Sequence, residues 1–433
     1  VNAPPADEGA SGDAPVVLAA GKLVGGGRAL AHAGNETWLV AGALPGERVA
    51  AIPTSRRAGI VEARAVELLG PGHPAREPAP CRHAPRCGGC DWPHVDPARG
   101  AELKAAAAAE AVRSSAALAE RLRTAPVRSS PLAYRLRARL HWDPAARTLG
   151  FFEERSRRVS AIPGCRVVSN RLAQAIEPLE RALAGRCPAA VDLEWLEDLE
   201  GGRAVVGLRP TGHSAAPVRP GWLPPAEALS GVVAGMHTLS PAGEISSGWG
   251  DPGVVMALPI SLFVPIGSFF QGNRHLAGWL FDRVVDLTGA RSVPTWDLHA
   301  GVGFLAAAAW HAGARELHLI EPARPSARAA QRNLPGASVA ISSAEAALAR
   351  AGSLPAEALV LTDPPRAGMT PELRRRLAGW HPERILMLAC DPATWGRDTS
   401  YLVDRGYLLT HVELVDLFPS THHVEILAVL ESG

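Results

Sequence analysis

From about Leu262 to the end of the chain, short apolar runs alternate with helix-like stretches, and successive apolar runs end on residues that carry chemistry. Val293–Trp296 leads into Asp297-Leu298-His299-Ala300-Gly301-Val302-Gly303. Leu317–Ile320 ends at Glu321, Leu359–Thr362 at Asp363-Pro364-Pro365, and Leu386–Ala389 at Cys390. Strand alternating with helix predicts an α/β, doubly wound, Rossmann-like domain. In open sheets of that kind ligands collect outside the carboxyl ends of the strands, which is where these acids and this thiol fall. The bland alternative, strand terminators with solvated acids, explains each one singly but not the series.

The Asp297–Gly303 loop precedes an Ala-rich helical run through Trp310. Its two glycines let a cofactor approach the backbone where a helix begins. Glu321, at the end of the next strand, is placed to hold ribose hydroxyls. The third glycine of a G-x-G-x-x-G dinucleotide fingerprint is missing, so the loop is closer to the adenosylmethionine-binding version of the fold. Cys390 pairs with a carboxylate downstream, Glu425, at the end of Phe418-Pro419-Ser420-Thr421-His422-His423-Val424-Glu425. A thiolate adding to carbon 6 of a pyrimidine makes carbon 5 nucleophilic, and a nearby carboxylate can then remove the carbon-5 proton. A lone cysteine is otherwise most often a small buried hydrophobe. His423 is a candidate to orient Glu425. Asp391, directly after the thiol, opposes a thiolate unless it is turned away or paired.

A second constellation lies upstream. Cys81, Cys87 and Cys90 form a C-x5-C-x2-C run with Gly88-Gly89 as a hinge, and Cys165 stands apart in Pro163-Gly164-Cys165-Arg166. Four thiolates suit either zinc or an iron–sulfur cluster. Structural zinc usually shows two C-x2-C knuckles, and this chain has one. Disulfides are the competing reading, but no secretory signal is recognised and Cys187 and Cys390 lack obvious partners. Reduced, cytoplasmic thiols are therefore expected.

A length of 433 residues, 47% hydrophobic content and a formal charge of +1 fit several globular domains and exclude a strongly acidic or basic chain. Charge is unevenly spread: Arg113 to Arg158 holds eleven arginines against four acids, an excess able to meet phosphates or simply to coat a surface. No apolar run is long enough to span a membrane. Residues 1–14, rich in Ala, Pro, Gly and acids, are expected to be a disordered leader. Residues 15–72 read as five short strands with tight Gly and Pro turns, the pattern of a small closed barrel, with Arg56 and Arg57 in a loop. Residues 73–260 read as a mixed α+β central domain holding the cysteines, with an Ala-rich helix over 101–118, strands at Tyr134–Trp142, Thr148–Phe152 and Arg203–Leu208, and a loop over 215–225. Residues 261–433 form the doubly wound domain.

With these residues in place, the chain resembles the S-adenosylmethionine-dependent RNA uracil-5-methyltransferases, most closely their iron–sulfur branch acting on ribosomal RNA. The motifs that carry the resemblance are Phe270-Gln271-Gly272-Asn273, the Asp297–Gly303 loop, Glu321, Asp363-Pro364-Pro365-Arg366, Cys390-Asp391-Pro392-Ala393-Thr394 and Phe418–Glu425. The resemblance implies Cys390 as nucleophile and Glu425 as base. It implies cofactor contacts from Gln271, His299, Gly301, Gly303, Phe304, Glu321 and Asp363. It also implies a 4Fe-4S cluster on Cys81, Cys87, Cys90 and Cys165, an N-terminal OB-like TRAM barrel, an RNA partner (ribosomal rather than transfer RNA), and a cytoplasmic monomer. The loop departs from the family pattern, with His299 and Ala300 in its aromatic and cysteine places and Phe304 where a small polar residue is common. The alternatives are a transfer RNA thymine-loop uridine methyltransferase and a cluster-stabilised RNA-binding protein with a degenerate methylase domain; retention of both Cys390 and Glu425 argues against the latter.

Overall fold

The computed structural model describes residues 14–84, 86–211 and 217–433, so all but Ala14 of the expected leader and the start of the 215–225 loop lie outside the described residues. The N-terminal part is a curled six-stranded sheet of Val16–Ala19, Leu23–Val24, Arg28–Ala33, Glu36–Ala41, Arg48–Arg57 and Ile60–Leu68. In space the order is first, fifth, sixth, fourth, third, second. Alternate residues point inward, so Leu18, Trp38, Val40, Val49 and Val61 fill its core. Five strands were expected and six are found, because Val16–Val24 is broken at Gly21. There the backbone turns against Leu30, whose carbonyl accepts the Gly21 N–H at 2.7 Å and would crowd any Cβ.

The middle of the chain forms a seven-stranded sheet. In spatial order it runs Val159–Ala161, Thr148–Phe152, Arg137–Asp143, Val191–Glu197, Ala204–Pro210, Gly235–Leu239 and Ile245–Gly250. Val191–Glu197 is buried along its whole length, so its two embedded glutamates need partners. Glu194 accepts from Arg139 (3.1 Å) and Arg209 (2.6 Å), and Glu197 accepts from Arg274 (2.6 Å) and Trp195 (3.0 Å). Part of the arginine excess noted above is taken up in ion pairs. Arg158 pairs with Glu153, and Arg155 reaches across to Glu62 and Thr54 of the N-terminal sheet. Arg56 stacks on Trp38 and pairs with Glu36.

The C-terminal sheet has eight strands. Ser338–Ala340, Arg315–Ile320, Pro294–Asp297, Leu359–Thr362 and Arg384–Ala389 run parallel; Glu425–Ser432 then inserts antiparallel, followed by Tyr407–Val415. The eighth, Val127–Arg128, comes from far upstream. Helices Ala277–Thr288, Phe304–Ala312 and Arg324–Asn333 pack on one face. Pro97–Ala111, Ala116–Arg123, Ala344–Ala351, Pro371–Trp380 and Pro392–Val403 pack on the other. The Ala-rich stretch predicted as one helix over 101–118 is thus two, split where Ser115 caps the second through the Leu118 N–H. Its small side chains allow close approach: Val112 sits against Gly396, where a Cβ would collide with it.

Strands Pro294–Asp297 and Leu359–Thr362 are neighbours whose following helices leave on opposite faces. That is the switch point where a crevice opens in a doubly wound sheet.

Candidate active site

Asp297 ends its strand 1% exposed, and neither of its carboxylate oxygens closes a hydrogen bond. The backbone amides of His299 and Ala306 lie near enough to favour its anion in part, yet burial dominates and pushes its pKa up to about 8. The chain then turns through Gly301 and Gly303, both with positive φ. A Cβ on Gly301 would meet nothing within 4 Å, whereas one on Gly303 would press on Leu334. Gly301 therefore leaves open space and Gly303 permits close packing on the next helix. Glu321 holds the loop: its two oxygens accept from the Gly301 N–H (2.9 Å) and the Ala323 N–H (2.7 Å). Each oxygen keeps a lone-pair direction for a ligand hydroxyl.

Asp363 and Gln271 meet across the crevice, Gln271 Nε2 donating to Asp363 Oδ2 at 3.1 Å. Burial pushes Asp363 up to about 7. His299 is tied by Nδ1 to Thr362 Oγ1 at 2.9 Å, and burial lowers its pKa to about 4, so it stays neutral at neutral pH. Phe304 differs from the others expected to line the cofactor: its ring is packed into the core, edge-on to Phe270 (5.6 Å) and Phe281 (5.9 Å). A small polar residue is not needed there because the position faces a hydrophobic layer.

Cys390 follows Ala389 at the end of its strand, and Glu425 begins the adjacent antiparallel strand, where Ala389 pairs with Ile426. Residues 35 apart in sequence thereby share one edge. Burial pushes the Cys390 thiol up to about 11, helped by the charges of Glu425 and Asp363 and opposed by Arg366. Glu425 is pushed up to about 8 by burial and by Asp363, again opposed by Arg366. Asp391 is turned away: it caps helix Pro392–Val403 by accepting the Thr394 N–H at 2.9 Å. His423 does not take the orienting role expected of it. Its Nε2 accepts from Arg366 Nη2 at 3.4 Å, and burial lowers its pKa to about 4.

Two residues without an assigned role in the sequence reading are thus central. Arg366 is the cation facing both Cys390 and Glu425. Lys104, from an upstream helix, is 2% exposed and donates to Asp416 Oδ1 (2.6 Å), Phe418 O (3.1 Å) and His423 O (2.8 Å), bracketing the loop that ends at Glu425. Arg366 was visible as part of a motif. Lys104 gave no local signal beyond being a lysine among alanines.

The four upstream cysteines are neighbours around a common volume. Cys90 feels the charges of Cys165, Cys87 and Cys81, burial pushes its thiol up to about 12, and none of the six cysteines is disulfide-bonded. Among the described residues, no three His, Cys, Asp or Glu side chains are already gathered at metal-holding distances. The donor set is all thiol, the chemistry that suits zinc or iron–sulfur centres. Arg135 Nη2 pins the intervening Gly89 carbonyl at 3.0 Å.

Comparison with known proteins bears on all of this. Over 94% of this chain and 94% of the relative, it is 32% identical to the 23S rRNA (uracil(1939)-C(5))-methyltransferase RlmD of Alkalilimnicola ehrlichii. It is 31% identical to that of Pseudomonas entomophila over 95% of this chain and 92% of the relative. The chain belongs to the RNA uracil-5-methyltransferase family. A family profile described as tRNA (Uracil-5-)-methyltransferase also matches residues 355–432, the stretch holding Asp363, Cys390 and Glu425. Among solved structures, the fold is similar to that of Pyrococcus abyssi tRNA (uracil-54, C5)-methyltransferase in complex with S-adenosyl-L-homocysteine. The TM-score is 0.72 and the identity 20%, covering 95% of this chain and 99% of that one. This uracil-5-methyltransferase family member therefore has an α/β methyltransferase fold.

Proposed function

We propose that this chain transfers a methyl group from S-adenosylmethionine to carbon 5 of a uridine in 23S ribosomal RNA. The observation that carries the reading is the convergence of Cys390 and Glu425 on one sheet edge beside the Asp297–Gly303 crevice. Ribosomal RNA is favoured because the full-length relatives are named for it. A transfer RNA uridine is the second reading, supported by the matched profile and the structural neighbour, which are named for tRNA. The domain division proposed is a TRAM-like barrel (15–72), a central domain with a 4Fe-4S cluster on Cys81, Cys87, Cys90 and Cys165 (73–260), and the methyltransferase domain (261–433). The protein is proposed to act as a cytoplasmic monomer. No described helix is long and apolar enough to cross a membrane.

The crevice suits the cofactor. Unpaired Asp297, with Asp363 and Glu321 near it, forms a pocket of acids that a cation stabilises, and Gly301 leaves the space. When bound, S-adenosylmethionine supplies an electrophilic methyl group on a sulfonium. Glu321 would hold ribose hydroxyls, and Gln271 and Asp363 would face the reacting end. The target base must leave its stack to reach the crevice. Cys390, deprotonated, bonds through Sγ to carbon 6, making carbon 5 the nucleophile that takes the methyl group; the sulfur–methyl bond would break in that step and S-adenosylhomocysteine would leave as the neutral thioether. Glu425 then accepts the carbon-5 proton; that electron pair restores the carbon 5–carbon 6 double bond as the Sγ–carbon 6 bond breaks. Arg366 facing both groups favours their ionised forms.

The test is covalent trapping. Ribosomal RNA fragments containing 5-fluorouridine, mixed with protein and S-adenosylmethionine, should give a denaturation-resistant adduct, since fluorine cannot leave as a cation. Cys390→Ala should abolish the adduct. Absence of an adduct with ribosomal and transfer RNA alike, with cofactor bound, refutes the reading.

A further inference from the structure

Of the groups that grip the loop ending at Glu425, two belong to the cysteine segment. Asp91 and Trp92 directly follow Cys90. Asp91 Oδ1 accepts the His422 N–H at 2.9 Å, and its other oxygen pairs with His422 Nδ1. The Trp92 N–H donates to Ser420 O at 3.0 Å. Trp92 itself is held from behind, its Nε1 donating to Gly27 O at 2.8 Å, and it is 1% exposed. Gly27, in the N-terminal sheet, has φ +67 and lies so close that a side chain there would run into His422. Tyr134 completes the grip, its hydroxyl donating to Pro419 O at 3.2 Å. From Cys90 to the loop is therefore one residue, and from His422 to the base is three.

We propose that Asp91 is a positioning residue for the base, and that through Asp91 and Trp92 the four-cysteine site sets the conformation of the loop that carries Glu425. The inference rests on the catalytic reading above. Cys390 lies outside this loop, directly after strand Arg384–Ala389, so the two halves of the reaction respond differently. Attack at carbon 6 and methyl transfer continue when the loop slackens; removal of the carbon-5 proton slows. Displacements of about 1 Å in a reacting group can cost on the order of a hundredfold in rate.

The experiment compares wild-type protein with Asp91→Ala and Asp91→Asn, purified with matched iron content, on RNA with ordinary uridine. Asp91→Ala should turn over roughly tenfold to a hundredfold more slowly while accumulating a denaturation-resistant, methylated protein–RNA adduct. Asp91→Asn, which keeps an acceptor for the His422 N–H, should recover part of the turnover and lose the adduct. A general loss of folding would lower product and adduct together, and that result in both variants overturns the proposal, as does wild-type turnover in Asp91→Ala. If wild-type protein makes neither product nor a 5-fluorouridine adduct, it is the catalytic reading that fails. A readout free of activity tests the coupling: hydrogen exchange at residues 417–424, before and after chelation removes iron. Faster exchange there after removal is expected. Unchanged exchange overturns the coupling.

Discussion

Lys104→Met removes the inner pin of the base loop, and its cost follows from what it leaves behind. The Lys104 ammonium donates to Asp416, Phe418 O and His423 O, so its three protons are all used. Methionine is similar in length and donates nothing. Asp416, 1% exposed, keeps only the Phe418 N–H at 3.1 Å. Burial already holds Asp416 above the usual carboxylate range and Lys104 below the usual ammonium range, each against its partner's pull. The pair is therefore no great source of stability by itself, but breaking it strands a buried charge, typically about 3–5 kcal/mol. The variant can escape by protonating Asp416. At pH 7 this costs about 4 kcal/mol, because an unfolded Asp titrates about three units lower and each unit is about 1.4 kcal/mol. At pH 5 the same escape costs about 1.5 kcal/mol. The folded variant then holds a proton that the unfolded chain releases, so its stability falls as pH rises. The expected destabilisation is about 3–4 kcal/mol at pH 7, shrinking by about 2 kcal/mol at pH 5. Urea denaturation of both proteins across that range, with m-values compared, measures it. A loss below about 1 kcal/mol at pH 7, or one independent of pH, refutes the reasoning.

As the proposed base, Glu425 must be ionised, and burial holds it at about 8, so kcat/KM should climb between pH 6 and pH 8.5. A flat profile over that range, once RNA integrity is verified, would mean another base. Gly301 combines positive φ with open space within 4 Å of where a side chain would begin. Gly301→Val should weaken S-adenosylmethionine binding by about tenfold or more, through backbone strain of about 1–3 kcal/mol and occlusion, with little change in the far-ultraviolet spectrum. Calorimetric titration with wild-type affinity would show that the loop does not face the cofactor.

Much of the C-terminal fold is legible because each strand end advertises itself. Asp297, Glu321, Asp363 and Cys390 are each the acid or thiol that closes a largely apolar run, and a parallel sheet aligns such ends by construction. The expected placing of Glu425 beside Cys390 rests on a register that no local pattern reveals, the antiparallel insertion of Glu425–Ser432 between two other strands. Lys104 and Asp91 were illegible for the same reason: their partners lie 312 and 331 residues away. The break at Gly21 depends on a tertiary contact, the Leu30 carbonyl, which no local pattern shows; the split of the Ala-rich helix follows from a local signal, the Ser115 cap, that the continuous run of alanines masks. His423 was a candidate to orient Glu425 on sequence proximity alone, with a His of no role the equal alternative. The loop instead turns its ring toward Arg366, the stronger donor.

The acids of the crevice share one electrostatic problem, their burial, and it bears on how a ligand binds. Asp297 is pushed to about 8, Asp363 to about 7 and Glu425 to about 8, while Glu321 is also raised, with burial the largest cause in each. Without a ligand, these groups favour the folded protein at low pH, and that contribution is lost as pH rises from their unfolded values near 4 through their folded values. A cationic ligand reverses the preference by favouring the ionised forms, so its binding releases protons and strengthens as pH rises. The thermal stabilisation given by S-adenosylmethionine should therefore grow between pH 6 and pH 8.5, and grow more than that given by S-adenosylhomocysteine, which lacks the sulfonium charge. Parallel pH dependence for the two ligands would show that the sulfonium does not lie among these acids. A steeper rise for the charged ligand would mean that its sulfonium lies among these acids and favours their ionised forms.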